Sequence, residues 1–122
     1  MTFQELVNAL KQFKLTCAPF NEEEIEKGVE RFLKQKNYPV HRQVVIKVGR
    51  LDLTVGKFVI EAKVIGQKKV AEQLDRYSGK CEGLILICWK ATKPLKRIFE
   101  LAKQQSKIPV ELIEVSKNCD MV

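Results

Sequence analysis

The sequence predicts a single α/β domain in which helices flank a mixed central sheet. Two observations lead to this prediction. Stretches with the apolar spacing of helices alternate with short stretches typical of strands. A continuous apolar run at 84–89 indicates a strand that is buried on both faces, as in the parallel part of a sheet. The domain is expected to span 1–122, with a helix at 2–13, a core at about 21–115 and a frayed tail at 116–122.

The N-terminal third predicts two helices. In the first, 2–13, apolar residues recur every three or four positions. Asn21 is a good N-cap for the second helix, and Glu24, three residues later, completes a start that resembles a capping box. This helix is expected to run from Glu22 to about Lys36. Its buried stripe would consist of Ile25, Val29, Phe32 and Leu33.

Three strands are expected next, at 40–48, 49–55 and 58–64. The last two are joined by the two-residue turn Gly56-Lys57, which suits a type II′ hairpin because glycine opens it. One face of the hairpin would be wholly apolar: Leu51, Leu53, Val55, Phe58, Ile60, Ala62 and Val64.

The C-terminal half predicts a helix at 66–79, followed by the apolar strand at 84–89, a helix at 94–106 and a last strand at 108–115. Proline near the first turn supports the start of the helix at 94–106. The order of elements is therefore helix, helix, three strands, helix, strand, helix, strand.

The polar face of the hairpin carries the most informative residues. The turn would pair Val55 with Phe58 and place Asp52 directly opposite Glu61. Lys63 shares the face of Glu61, since residues alternate faces along a strand. Two carboxylates placed opposite each other repel, and a bound divalent cation would give the fold a reason to bring them together. The alternative is a solvent-facing hairpin surface with a Glu–Lys pair.

With its α-β-β-β-α-β order, Asp52 on one strand and Glu61-Ala62-Lys63 on the next, the chain resembles the PD-(D/E)XK nuclease superfamily. Gln73 to Tyr77 resembles the QxxxY motif of RecB-type nucleases. The helix that contains Glu26 is similar to that of archaeal Holliday-junction resolvases, which place a glutamate near its start. The resemblance covers about 21–89 and lacks the proline that often precedes the first acid. It implies a restriction-endonuclease-like core.

The resemblance also implies an active site that binds one or two Mg²⁺ or Mn²⁺ ions. The implied metal ligands are Asp52, Glu61, Glu26 and the carbonyl of Ala62. Lys63 would assist the attacking water, Gln73 would position it and Tyr77 would support the site. Carboxylates suit this role because Mg²⁺ prefers oxygen ligands and keeps several waters. The choice of the helix acid stays open, because the same helix also offers Glu22, Glu23, Glu24 and Glu30.

The net charge of +7 favours a polyanionic partner, and DNA is the expected one, with RNA as an open alternative. The candidate nucleic-acid-binding residues are Arg42, Arg50, Lys68, Lys69, Arg76 and Lys80. A small domain gains contact area by pairing, so we expect a homodimer. The sequence shows neither a signal peptide nor an apolar run of about 20 residues, which predicts a cytoplasmic protein without a membrane partner.

The sequence therefore predicts a metal-dependent deoxyribonuclease. Two other functions stay open at this point. One is a catalytically inactive nucleic-acid-binding protein with the same fold, and the other is a small basic protein-interaction module. The form of nucleic acid that is recognised and endonuclease versus exonuclease action are not predicted.

Overall fold

The computed structural model describes residues 1–47, 49–77 and 79–117. Most of the tail that was expected to fray, residues 118–122, therefore lies outside the described residues. The helices are α1 (Phe3–Leu10), α2 (Glu22–Gln35), α3 (Val70–Asp75) and α4 (Lys93–Gln105). The strands are β1 (Lys14–Leu15), β2 (Val40–Ile46), β3 (Gly49–Val55), β4 (Phe58–Gly66), β5 (Gly83–Ala91), β6 (Val110–Glu114) and β7 (Ser116–Lys117).

Five strands form one mixed sheet in the order β2-β3-β4-β5-β6. The pairs β2–β3 and β3–β4 are antiparallel, whereas β4–β5 and β5–β6 are parallel. This confirms the predicted α/β architecture with a mixed central sheet. The short strands β1 and β7, which the sequence does not predict, form a separate two-stranded parallel sheet.

Helices cover both faces of the large sheet. On one face α1 and α2 contribute to the larger core, and on the other α3 and α4 pack in a smaller one. Residues of β5 alternate between the two cores, with Ile85 and Ile87 in the larger and Leu84 and Leu86 in the smaller. The apolar run is therefore a central strand that is buried on both faces, as predicted. Among the described residues, no helix combines the length and apolarity needed to cross a bilayer.

The start of α2 is fixed by its N-cap. The Asn21 side chain accepts a hydrogen bond from the Glu24 N–H at 3.1 Å, as the sequence predicts. The Glu24 carboxylate accepts from the N–H of Phe20, one residue before the cap. The helix buries its apolar stripe against the sheet, and one acid, Glu26, is buried with it.

The helix predicted at 66–79 is much shorter, because α3 covers only Val70–Asp75. The reason is tertiary: β4 continues through Gly66, which pairs with Ala91 of β5. At its other end α3 stops at Asp75, and Tyr77 lies in a turn beyond it. The prediction that the helix continues through Tyr77 to 79 is therefore wrong.

Candidate active site

The β3–β4 hairpin is paired near its turn and open at its other end. Gly56 has φ +59°, a positive value that a type II′ turn requires at its first position. Pairing near the turn follows the predicted register and then ends at Leu53 opposite Ile60. The prediction that Asp52 pairs with Glu61 across the ladder is therefore wrong.

Where the ladder ends, the side chain of Asp52 takes the place of a backbone partner. Its Oδ2 accepts a hydrogen bond from the backbone N–H of Ala62 at 2.9 Å, where a regular sheet would place a carbonyl group. Beyond this point β4 pairs with β5 as far as Gly66, whereas its ladder with β3 has ended. The two strands of the hairpin thus leave an opening beside the two acids.

The predicted apolar face of the hairpin is also interrupted at Asp52. Leu53 packs in the core beneath α1 and α2, but Leu51 packs with Val59 in the core on the other face. Residues two apart share a face in a regular strand, so placing all the apolar residues on one face is wrong for Leu51. The neighbouring position of β2 is irregular too, because Gln43 has φ +57°.

Glu61 is buried next to Asp52, with only 8% of its surface exposed. Its Oε1 is inaccessible to solvent and has no hydrogen-bond partner among the described residues. Burial raises the pKa of Glu61 to about 9, with further contributions from a hydrogen bond with Asp52 and from the charge of that carboxylate. The burial of Glu61 and the neighbouring carboxylate thus both disfavour its ionised form.

A third acid, Glu26 of α2, is buried and interacts electrostatically with Asp52. It is 5% exposed, and its Oε1 accepts a hydrogen bond from Nε2 of Gln43 at 2.5 Å. The guanidinium of Arg42 lies 3.6 Å from the same oxygen. Burial raises the pKa of Glu26, and the charge of Asp52 raises it further. Of the acids on the helix, Glu26 is therefore the one that is buried within electrostatic reach of the hairpin carboxylates.

Lys63 lies two residues after Glu61 on β4. Its positive charge favours the ionised form of that acid. Its ion-pair partner is nevertheless Glu22, in the first turn of α2, with Nζ 3.4 Å from Oε1. The Lys63 side chain is 24% exposed. The ammonium group therefore lies at the boundary between the buried acids and solvent.

Tyr77 approaches the acids from the turn after α3. A Cβ atom added to Gly49 would lie 3.5 Å from its hydroxyl, which places the hydroxyl beside the start of β3. Burial raises the pKa of Tyr77, and the charges of Glu61 and Asp52 raise it further. The side chain of Gln73 lies outside the described residues, so its role stays a prediction.

A cavity of about 760 Å³ lies between α2 and the open end of the hairpin. Its charged lining residues are Glu22, Glu23, Glu26, Arg42 and Arg50. Of the three acids of the candidate site, Glu26 is the one that lines this cavity, and residues of both signs of charge surround it. The cavity offers an approach for an anionic substrate only where positive charge offsets the carboxylates.

The predicted nucleic-acid-binding residues fall into two groups. Arg50 is exposed at the cavity, whereas Arg42 is half-buried and turned towards Glu26 and Glu23. The other four are exposed around α3: Lys68, Lys69, Arg76 and Lys80. The structure thus places two of these basic residues at the cavity and four on a neighbouring surface.

The described residues contain no group of three or more His, Cys, Asp or Glu side chains arranged to hold a metal ion. Mg²⁺ needs fewer protein ligands than such a group supplies, because it retains waters and binds through one or two carboxylates. The pair Asp52 and Glu61 meets that smaller requirement. Comparisons with family models, curated proteins and solved structures found no match to this chain. What the site binds must therefore be inferred from its own geometry.

Two contacts at the site are not predicted by the sequence: the hydrogen bond from Gln43 to Glu26, and the ion pair between Glu22 and Lys63. The hydrogen bond from Gln43 has one local signal in the sequence. The adjacent valines Val44 and Val45 interrupt the alternation of apolar and polar residues along β2. The second has no local signal, because its partners are far apart in the chain.

Proposed function

We propose that this chain is a metal-dependent nuclease that hydrolyses phosphodiester bonds in DNA, on a restriction-endonuclease-like core of the PD-(D/E)XK type. The order α2-β2-β3-β4-α3-β5 supports the proposed core. One observation carries the function: the carboxyl group of Glu61 is buried beside Asp52 with an oxygen that lacks a partner among the described residues. A divalent cation satisfies that oxygen and removes the repulsion between the two acids.

The donor set fits Mg²⁺ or Mn²⁺. Asp52 and Glu61 supply carboxylate oxygens, and the carbonyl of Ala62, the residue after Glu61, is a further oxygen donor. Glu26 adds a third carboxylate from α2. All are hard oxygen ligands of the kind that these ions prefer.

Each remaining group has a role that its position supports. When bound, the divalent ion supplies positive charge that stabilises the transition state at the phosphate and lowers the pKa of water. Lys63 donates hydrogen bonds to the attacking water or to a phosphate oxygen, in place of its contact with Glu22. Gln73 orients that water, and Tyr77 packs beside the acids to limit solvent access. The water oxygen would form a bond to phosphorus while one P–O ester bond of the phosphodiester breaks. The water loses a proton to solvent, and the departing oxygen takes one up from solvent.

The charge of the chain supports a polyanionic substrate. A net charge of +7 and four exposed basic residues around α3 would neutralise phosphates on either side of the cut. We expect a homodimer, because a second copy would double the contact area and supply a second site. Light scattering of the purified protein tests this expectation.

A cleavage assay tests the function directly. Duplex, single-stranded and branched DNA, and RNA of the same sequences, are incubated with the protein in Mg²⁺, Mn²⁺ or EDTA. We expect cutting of DNA that requires the metal and falls at least about a hundredfold in Asp52→Asn and in Lys63→Ala. Cutting of RNA alone would change the substrate class.

Matched controls separate the site from the general charge of the surface. Glu23→Gln removes an exposed acid near the same cavity, and Lys57→Ala removes an exposed lysine of the hairpin turn. Both should cut as the wild type does. If Asp52→Asn cuts normally, the proposed site is wrong. If metal and DNA bind but nothing is cut, the chain is a nucleic-acid-binding protein, and absence of DNA binding at low salt would favour a protein-interaction module.

A further inference from the structure

Gln43 has a backbone conformation that its place in a strand does not explain. Its φ of +57° lies in the left-handed region, which residues with a Cβ atom rarely adopt. The one other non-glycine residue with positive φ in the described part of the chain is Asn37, just past the end of α2, where this conformation is common. Strain of this kind in the middle of a strand is typical of functional sites.

The strained residue lies at the level where the sheet loses its regular pairing. Pairing on both sides of Gln43 places it opposite Asp52, yet the ladder has no pair between these two residues. Val40 and Val44 pack in cores on opposite faces of the sheet, although residues four apart in a regular strand share a face. The backbone of β2 therefore reverses its pleat beside the candidate active site.

The reversed pleat accompanies a contact between the sheet and α2. Nε2 of Gln43 donates a hydrogen bond of 2.5 Å to Oε1 of Glu26, which is 5% exposed. Arg42, the preceding residue, lies 3.6 Å from the same oxygen. Both contacts use Oε1, so two adjacent residues of β2 restrain one oxygen of this carboxylate.

We propose that Gln43 is a positioning residue that holds Glu26 as a cation ligand through its other oxygen, Oε2. The amide restrains the carboxylate without adding a positive charge that would compete with the cation. The strain in β2 is the conformation that lets a side chain opposite Asp52 reach α2. This inference rests on the proposed function and adds to it the residue that brings the helix acid to the cation.

The test measures Mn²⁺ binding to the metal-free protein by calorimetry and by electron paramagnetic resonance of free Mn²⁺. Gln43→Leu removes the donor at similar size, and Gln43→Gly removes it while relieving the backbone. Both should weaken Mn²⁺ binding about tenfold or more, as should Glu26→Gln. Because Gln43 acts through Glu26, the double variant Glu26→Gln/Gln43→Leu should bind Mn²⁺ no more weakly than Glu26→Gln alone.

The variants also separate positioning from folding. Gln43→Gly should unfold at the same or a higher temperature than the wild type, so that weaker Mn²⁺ binding cannot come from a damaged fold. Wild-type affinity in Gln43→Gly, or additive losses in the double variant, would overturn the inference. If Asp52→Asn removes Mn²⁺ binding while the Gln43 variants do not affect it, this inference alone fails. If Asp52→Asn also leaves binding unchanged, the proposed function fails with it.

Discussion

Glu22 and Lys63 form an ion pair between the first turn of α2 and β4, with Oε1 of the acid 3.4 Å from Nζ of the lysine. The acid is 44% exposed, so solvent and salt weaken the pair. A phosphate that enters the cavity carries the charge and the acceptor oxygens needed to replace this carboxylate. The lysine that we assign to catalysis is thus held near its place by a partner that a substrate can displace.

The first prediction concerns this pair. Glu22→Gln should retain metal-dependent cutting and raise kcat/KM for DNA about twofold to tenfold at low salt, because Lys63 no longer has to leave a carboxylate. Glu23→Gln is the matched control, since it removes an exposed acid that pairs with Lys27 instead. Loss of cutting in Glu22→Gln would mean that this acid is itself a ligand, and would contradict the assignment of Glu26.

A second prediction separates stability from activity at Asp52. In Asp52→Asn an amide oxygen remains for the N–H of Ala62, but the charge that helps to raise the pKa of Glu61 is gone, so at pH 8 less free energy of folding is lost in keeping a proton on that acid. We expect this variant to unfold several degrees higher than the wild type in EDTA at pH 8 and to cut no DNA. Asp52→Ala should unfold at a lower temperature than Asp52→Asn, because an unsatisfied N–H costs about 1–3 kcal/mol. If Asp52→Asn unfolds at a lower temperature than the wild type, the two acids do not repel each other.

The third prediction is a pH dependence that metal reverses. The pKa of Glu61 is raised from its ordinary value of 4.5 to about 9, so the folded protein keeps a proton that the unfolded chain has lost. In EDTA, the contribution of Glu61 to the free energy of unfolding should therefore be complete below pH 4.5 and should be lost as pH rises towards about 9. Thermal unfolding across this interval measures the decrease, and Glu61→Gln should flatten it.

In excess Mg²⁺ the trend should be opposite, because binding of the cation displaces the proton and becomes tighter as pH rises. The increase in unfolding temperature on adding Mg²⁺ should grow with pH in the wild type and be absent in Glu61→Gln. A metal effect that is equal at low and high pH would show that this carboxyl group does not bind the ion.

A fourth prediction tests the packing of α1, independently of function. A Cβ atom on Gly83 would overlap the ring of Phe3 and come within 3.0 Å of Phe58. Gly83→Ala should therefore lower the free energy of unfolding by about 1–3 kcal/mol. Gly79→Ala is the control, because no described atom lies within 4 Å of the added carbon, and it should change stability by less than about 0.5 kcal/mol. Equal stability of the two variants in urea unfolding would mean that Phe3 packs elsewhere.

Local signals predict much of this fold. The limits of β3 follow from the alternation of apolar and polar residues, and the turn follows from the glycine at position 56. Both signals depend only on residues that are neighbours in the sequence. The length of α3 does not follow, because pairing of β4 with β5 draws Gly66 into the sheet. At the site, the sequence singles out the residues of the hairpin, whereas for α2 it leaves five glutamates open and only the resemblance to resolvases favours Glu26. It cannot show the reversed pleat at Gln43, which requires a strand and a helix that are brought together by folding.

The strand that carries Glu61 and Lys63 is also the one at which the sheet changes from antiparallel to parallel pairing. Along one edge, β4 pairs with β5 from Phe58 to Gly66. Along its other edge, β4 pairs with β3 only near the hairpin turn. If the site binds a cation as we propose, adaptation to ions of different radius would come from the outer arm formed by β2 and β3. Asp52 would shift with that arm and lengthen its hydrogen bond to Ala62, while Glu61 keeps its place, so tolerance for larger ions would depend on these two neighbouring strands.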